Sequence, residues 1–304
     1  MPVALSAIKD LLFPGLREIT GEYPQIPRQY DKIFRYGRSE MALERTAEVR
    51  FLGYAQPKTE GAATQFDNQS GERFVYNQEH IEIALGYAIT RKAIDDNLYK
   101  TQFRPSNLGL MQSFVQTKEI YGANVLNTGN VFNANIGGDG QALFSTAHPV
   151  DGNTYANRPS VDVDLNESTL LSAMISIRRN FIDQAGLKFY ARAKKMVVPP
   201  ELEPIAIRLL HTELRPGTAD NDVNAIRSTA GGLGEGYMVN DFLTSPFAWF
   251  LLTNIDGLLY LERIPFETDM QVEFTTDNLL VKGYERYSFS YYNPRSAWGT
   301  FPTS

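Results

Sequence analysis

No cysteine occurs among the 304 residues, which excludes disulfide scaffolds, thiolate metal sites and thiol nucleophiles together. Histidine is nearly as scarce. His80, His148 and His211 stand far apart, and none sits in a spacing such as His-Glu-x-x-His that would mark a metal site. Long apolar runs are missing too: the strongest, Phe242 to Ile255, has 14 residues, against roughly 20 for a bilayer-spanning helix. Met1 to Ile8 lacks the basic segment, apolar stretch and small-residue cleavage site of a secretory signal. A soluble chain with no membrane partner is expected. Positive charge is not in excess, with 29 basic against 35 acidic residues and a net charge of -6, which argues against a dedicated nucleic-acid-binding protein. Fixed-period repeats, low-complexity tracts and Pro/Ser-rich linkers are also absent. What is present is 43% hydrophobic and 12% aromatic residues, enough to bury one or two cores without cross-links or metal.

The first 45 residues scatter Pro2, Pro14, Pro24 and Pro27 among charges, and each proline restricts itself and its predecessor to extended or turn geometry. This predicts an extended arm with at most a short helix near residues 3–12, lying either on a neighbour or on the chain's own surface. Ile81, Ile83, Leu85, Tyr87 and Ile89 alternate with smaller or polar residues, the period of a strand with one buried face. Residues 49–55 read as its weaker partner. Between them Pro57 to Glu72 is too rich in turn residues to be core, so a long projecting loop is expected, and loops of that length are usually functional or disordered.

From Arg91 to Asn127 the period becomes helical, with Leu110, Phe114, Tyr121 and Val125 on the expected inner face and Pro105 either kinking one helix or opening a second. Asn130 to Gly140 is a loop rich in glycine and asparagine. Asn166 reads as the cap of a helix carrying Leu170, Met174, Ile177 and Phe181 inward, with Gly186 just past its end. Lys194 to Val198 reads as a buried strand, followed by Pro199-Pro200 opening a helix. Beyond Tyr237 the chain is mostly strand, with segments Phe247 to Leu252, Leu258 to Arg263, Gln271 to Phe274 and Leu280 to Tyr292, and a hairpin turn at Thr275 to Asn278. The fold class is α+β.

Catalytic signatures are hard to find. Gly231 to Gly236 resembles a dinucleotide loop only in glycine count, since a polar turn-like stretch precedes it and no helix follows to hold a pyrophosphate. Neither a Gly-x-Ser-x-Gly elbow nor a phosphate-cradling loop is present, and Ser145 with His148 does not make a triad. No catalytic residue, cofactor or metal ligand is assigned. The densest basic cluster, Arg178, Arg179, Lys188, Arg192, Lys194 and Lys195, faces either phosphate, an acidic neighbour or solvent.

Two segments carry a family resemblance: Ala142-Leu143-Phe144-Ser145-Thr146-Ala147-His148-Pro149, and Met196-Val197-Val198-Pro199-Pro200-Glu201-Leu202-Glu203 leading into Ala206 and Leu210. With the amphipathic helix between them, they resemble the major head subunit family of Mu-like phages and prophages. The resemblance covers roughly residues 80–260. It implies the tailed-phage major capsid fold (HK-ninety-seven-like), shared with encapsulins, with an N-terminal arm at 1–46, an extended β-hairpin loop at 47–89, a peripheral domain with spine helix at 90–193, an axial domain at 194–260, and strands at 261–304 returning to the peripheral domain.

The implied function is a structural major capsid protein, not an enzyme, which self-assembles as hexamers and pentamers into an icosahedral head enclosing double-stranded DNA. Loop residues Lys58, Glu60, Asp67, Glu72 and Arg73 are the implied contacts between subunits, and Arg178, Arg179, Lys188 and Arg192 would face packaged DNA without sequence preference. Implied partners are further copies of the chain, a scaffolding protein, a portal protein and, optionally, a decoration protein. The location is the virion, after assembly in the host bacterial cytoplasm. Some relatives begin with a cleaved helical scaffolding segment; here the chain opens almost directly on the arm, so a separate scaffolding protein is expected, and no lysine-asparagine cross-link. The rivals are an encapsulin-like nanocompartment shell and a hydrolase using His148 and His211.

Overall fold

The computed structural model describes residues 23, 26–95, 99–213, 224, 226 and 232–303, with the backbone alone at 94, 95 and 99–104. In chain order the elements are β1 (Arg35–Arg38), β2 (Leu43–Arg50), β3 (Gly71–Glu79), β4 (Ile81–Ile89), α1 (Arg91–Asp95), α2 (Tyr99–Asn127), β5 (His148–Val150), β6 (Asn153–Tyr155), α3 (Glu167–Asn180), β7 (Ala193–Val198), α4 (Glu203–His211), β8 (Tyr237–Val239), β9 (Trp249–Thr253), β10 (Leu258–Val272), β11 (Leu279–Tyr291) and β12 (Ala297–Thr300). They build two four-stranded sheets, β1-β10-β11-β4 and β12-β9-β7-β8, and two hairpins, β2-β3 and β5-β6. The helix expected near residues 3–12 lies outside the described residues.

The first sheet rests on the long antiparallel pair β10 and β11, with β1 parallel to the start of β10 and β4 antiparallel to β11. Alternation in β4 sets its register. Ile89 lies opposite Leu279 and Tyr87 opposite Val281, so apolar groups from both strands face α2. Helix α2 answers with a stripe of 3.6-residue period: Leu110, Met111, Phe114, Val115, Lys118, Glu119, Ala123 and Leu126 are buried. Tyr121, expected inside, is largely exposed. Pro105 lies within the helix rather than opening a second one. Gly283 of β11 permits the closest approach, since a Cβ there would come 2.8 Å from the Phe114 ring.

In the second sheet, β9 is flanked by β12 and β7 and is buried over its whole length. Trp249 and Leu251 face one core, shared with α3 and α4, while Phe250 and Leu252 face another, shared with the first sheet. Two-sided burial explains the unbroken apolar run Trp249 to Leu252. Asn166 caps α3 as expected, in a reciprocal box with Thr169, and Leu170, Met174, Ile177 and Phe181 are buried. The helix stops at Asn180, so Gly186 belongs to a later turn with φ 81. The expected β7 forms, and Pro200 starts a 3-10 turn before α4. Segments 258–263 and 271–274 merge into the single strand β10, with register shifts around Pro265, a residue that cannot donate to a ladder. The turn at 275–278 closes by Glu273 N–H donating to Asn278 O and Asp277 N–H donating to Glu273 O, with Asp277 at φ 55.

One expectation is corrected. Strand β4 does not pair with residues 49–55; β2 pairs with β3, a strand the composition of 71–79 barely signals, and β4 crosses to β11. Of the two placements expected for the arm, its described part takes the one on the chain's own body: Tyr30, Ile33 and Phe34 are buried against Phe289 and Tyr260. Residues 150–193 share one core with β7, β9 and Trp298, β10 begins at Leu258 in the first sheet, and β12 returns to the second. Burial of Trp298 against Trp249 is what draws residues near 298 back there.

Candidate functional site

Between β2 and β3 the chain leaves the body as an irregular loop, residues 51–70, all of it solvent-facing apart from partial shelter at Gly53. Its root is tied down. The Asp67 carboxylate accepts hydrogen bonds from the N–H groups of Gln69 (2.9 Å) and Gly53 (2.8 Å) and from Arg50 (3.3 Å), which together hold its pKa below the usual carboxylate value. Arg50, itself buried, also binds Asp151 at 3.2 Å, and Arg73 reaches the same carboxylate at 3.7 Å. Deeper in, Glu48 pairs with buried Arg295 at 2.5 Å.

A second clamp comes from the glycine-rich segment after α2. Asn77 N–H donates to Ile136 O (2.8 Å) and Gly138 N–H to Val75 O (3.0 Å), so this segment borders β3 as a partial third strand. Tyr76 is fully buried beneath it. Gly138, at φ 84, is required there, because a Cβ would fall 2.1 Å from the Tyr76 ring.

Five loop residues were singled out by charge, and the structure divides them. Asp67 and Arg73 are engaged within the subunit at the root. Lys58, Glu60 and Glu72 are exposed and make no ion pair among the described residues. The larger signal on the loop is apolar: Phe51, Leu52, Tyr54 and Phe66 are 66%, 59%, 62% and 84% exposed. Four large apolar groups standing in solvent on one loop are disfavoured by water, the usual mark of an interaction surface. Their presence in an otherwise polar, glycine-bearing stretch was the available clue.

The basic cluster also splits. Lys194 and Lys195 are neutralised by Glu235 at 2.5 Å and 2.8 Å, and their hydrogen bonds lower its pKa. Arg178 and Arg179 are exposed in the last turn of α3, and Lys188 is exposed where Ile182 bridges back to it; these three have no ion pair among the described residues. Arg192 is exposed and has a partner of its own. Tyr190, 93% exposed, sits beside them.

The histidines do not form a reactive centre. His148 is fully buried, its Nδ1 2.6 Å from Asp139 Oδ2, its Nε2 3.1 Å from Asn157 Oδ1, and its ring stacked on Tyr155. Ser145 instead donates to Gln141 and accepts from Ala147 N–H, so no hydroxyl is activated. His211 lies at the end of α4 against Tyr237. Among the described residues, no group of three His, Asp or Glu side chains is placed to hold a metal ion.

A sequence model of a family described as phage capsid protein matches residues 81–298. No curated protein matches the chain. Among solved structures, one from Microbacterium phage Oxtober96 superposes with a TM-score of 0.56 at 16% identity, over 91% of each chain. The capsid of an empty GTA particle gives 0.56 at 10% identity, over 91% of this chain and 92% of that one. A virus-like particle from Pyrococcus furiosus gives 0.55 at 9% identity, over 95% and 98%. At these identities the likeness is one of fold, the tailed-phage capsid (HK-ninety-seven-like) arrangement of helix and sheet.

Proposed function

The chain belongs to the phage capsid protein family, a structural subunit and not an enzyme, and from that premise we propose that it builds its shell by laying residues 51–70 across a neighbouring copy. One observation carries this reading: Phe51, Leu52, Tyr54 and Phe66 stand in solvent on a loop whose root is fixed by Asp67, Arg50 and Asp151. A fixed root flanked by exposed apolar side chains presents its contact area with little further loss of conformational freedom. Covering four such side chains is worth several kcal/mol at about 25 cal/mol per Å², and closed symmetry repeats that gain at every subunit. Lys58, Glu60 and Glu72 then form the polar rim.

Hexamers and pentamers of an icosahedral head are the assembly proposed, formed in the host cytoplasm with a separate scaffolding protein and a portal, and open to a decoration protein. The segments 142–149 and 196–203 support a place among Mu-like head subunits. Arg178, Arg179, Lys188 and Arg192 are proposed to meet packaged DNA through phosphate contacts, supported by the exposure of all four side chains. An encapsulin-like compartment would share the fold, but the family match is to phage capsid proteins.

Replacing residues 54–66 with a short glycine-serine turn tests the central claim. The variant should melt with the parent and yield no closed particles in negative-stain microscopy. Closed shells from that variant would overturn the reading.

A further inference from the structure

Two chain segments connect the β2-β3 hairpin to the body: residues 39–42 lead in from β1, and His80 alone leads out into β4. These two connections touch. His80 Nε2 lies 2.8 Å from Ser39 Oγ, and both residues are buried. Ser39 is in turn fixed to β10, its N–H donating to Glu262 O (3.0 Å) and its carbonyl accepting from Arg263 (3.3 Å).

Proton placement follows from the acceptors. The Ser39 hydroxyl has one proton, and its nearest acceptor is the Glu44 carboxylate at 2.7 Å, closer than Met41 O at 3.1 Å. Its oxygen therefore accepts from His80, which must carry hydrogen on Nε2. Nδ1 is left bare, buried and without a partner. A second proton there would place a charge and an unsatisfied N–H inside the joint. The charged groups facing the ring are Glu44 from β2, Arg263 from β10 and Arg286 from β11; only Glu44 favours a charged ring, and the sequence neighbours Glu79 and Glu82 are exposed. A groove of about 360 Å³ bordered by Gln78, His80, Asn135 and Ser290 gives solvent a route to the site.

We propose that the contact between His80 and Ser39 is an acid-released latch, closing the root of the hairpin at neutral pH and letting it open when His80 takes up a proton. The far half of the hairpin is held separately by Glu48 with Arg295 and by buried Tyr76 and the Asn77 N–H bonded to Ile136 O, so release is confined to the root, where Leu43 and Glu44 pair with Glu79 and Gln78. Burial is the main cause that lowers the pKa of the latched ring; Glu44 opposes it, and Arg286 and Arg263 add to it. An opened ring regains the ordinary histidine value of about 6.5. As pH falls through that range the open form binds a proton that the latched form resists, so the latch weakens with acid.

Hydrogen-deuterium exchange of the whole chain, corrected for intrinsic rates and compared at about pH 7.5 and about pH 5.5, reads the latch directly. In the parent, exchange over 43–44 and 78–79 should rise about tenfold at the lower pH while 71–77 stays protected. His80→Gln, which cannot take up the proton, should show the same protection at both values. Ser39→Ala should expose the root already at neutral pH. A parent insensitive to pH, the same acid response in His80→Gln, or full neutral protection in Ser39→Ala would each overturn the proposal. The experiment uses subunits that need not assemble, so its result is separate from that of the loop replacement.

Discussion

Lys118 and Glu285 meet at 2.6 Å with almost no access to water, bridged by the Tyr23 hydroxyl, which accepts from Lys118 at 2.9 Å and donates to Glu285 at 3.2 Å. Burial pushes the lysine amine down and the glutamate carboxyl up, the two directions expected for charges held away from water. Removing one partner strands the other, and Glu285 Oε1 already lacks a hydrogen bond. Lys118→Met should therefore lower unfolding free energy by about 3–5 kcal/mol in urea titration, whereas Lys118→Met with Glu285→Leu should recover most of the loss. Asn157 concentrates another buried network: its amide donates to Leu143, Pro294 and Ala297 carbonyls, and its oxygen accepts from Ser145 N–H and lies by His148. Asn157→Ala leaves several buried groups unpaired at about 1–3 kcal/mol each. A melting temperature within experimental error of the parent would contradict that account.

Elements whose signal is local were legible in the sequence. Alternation located β4, the asparagine cap located the start of α3, and a β-branched run followed by two prolines located β7 and α4. Asn166→Ala should cost about 1 kcal/mol in thermal unfolding, the usual worth of such a cap. Partnership was not legible, because pairing is decided by residues far along the chain: β4 finds β11, and β3 is held from outside by the segment around Gly138. Gly138→Ala should loosen that clamp through positive φ and collision with Tyr76, seen as raised exchange over 74–77. The loop at 51–70 was located by composition, but the apolar side chains it exposes were not. Charge is visible in a sequence; the exposure of Phe66 is not, since an aromatic residue is ordinarily assigned to a core.

At the scale of the whole molecule, a net charge of -6 sets a mildly repulsive background against which the proposed apolar loop contact would act. Arg178→Glu with Arg179→Glu should leave particle yield unchanged while weakening DNA binding and flattening its salt dependence in a filter-binding series. The order of the strands has a further consequence for how the subunit is made. Strand β1 pairs with the start of β10 more than 200 residues later, and β12, at Ala297–Thr300, completes the second sheet beside β9. Trp298 closes the core against Trp249. A chain still emerging from the ribosome therefore lacks the pieces that finish both sheets, and one released early by a stalled or truncated message cannot bury Trp249 or dock Tyr30 beside Tyr260. Such fragments stay open, sticky and accessible to proteases instead of entering a lattice in which a single defective copy would be locked beside sound ones.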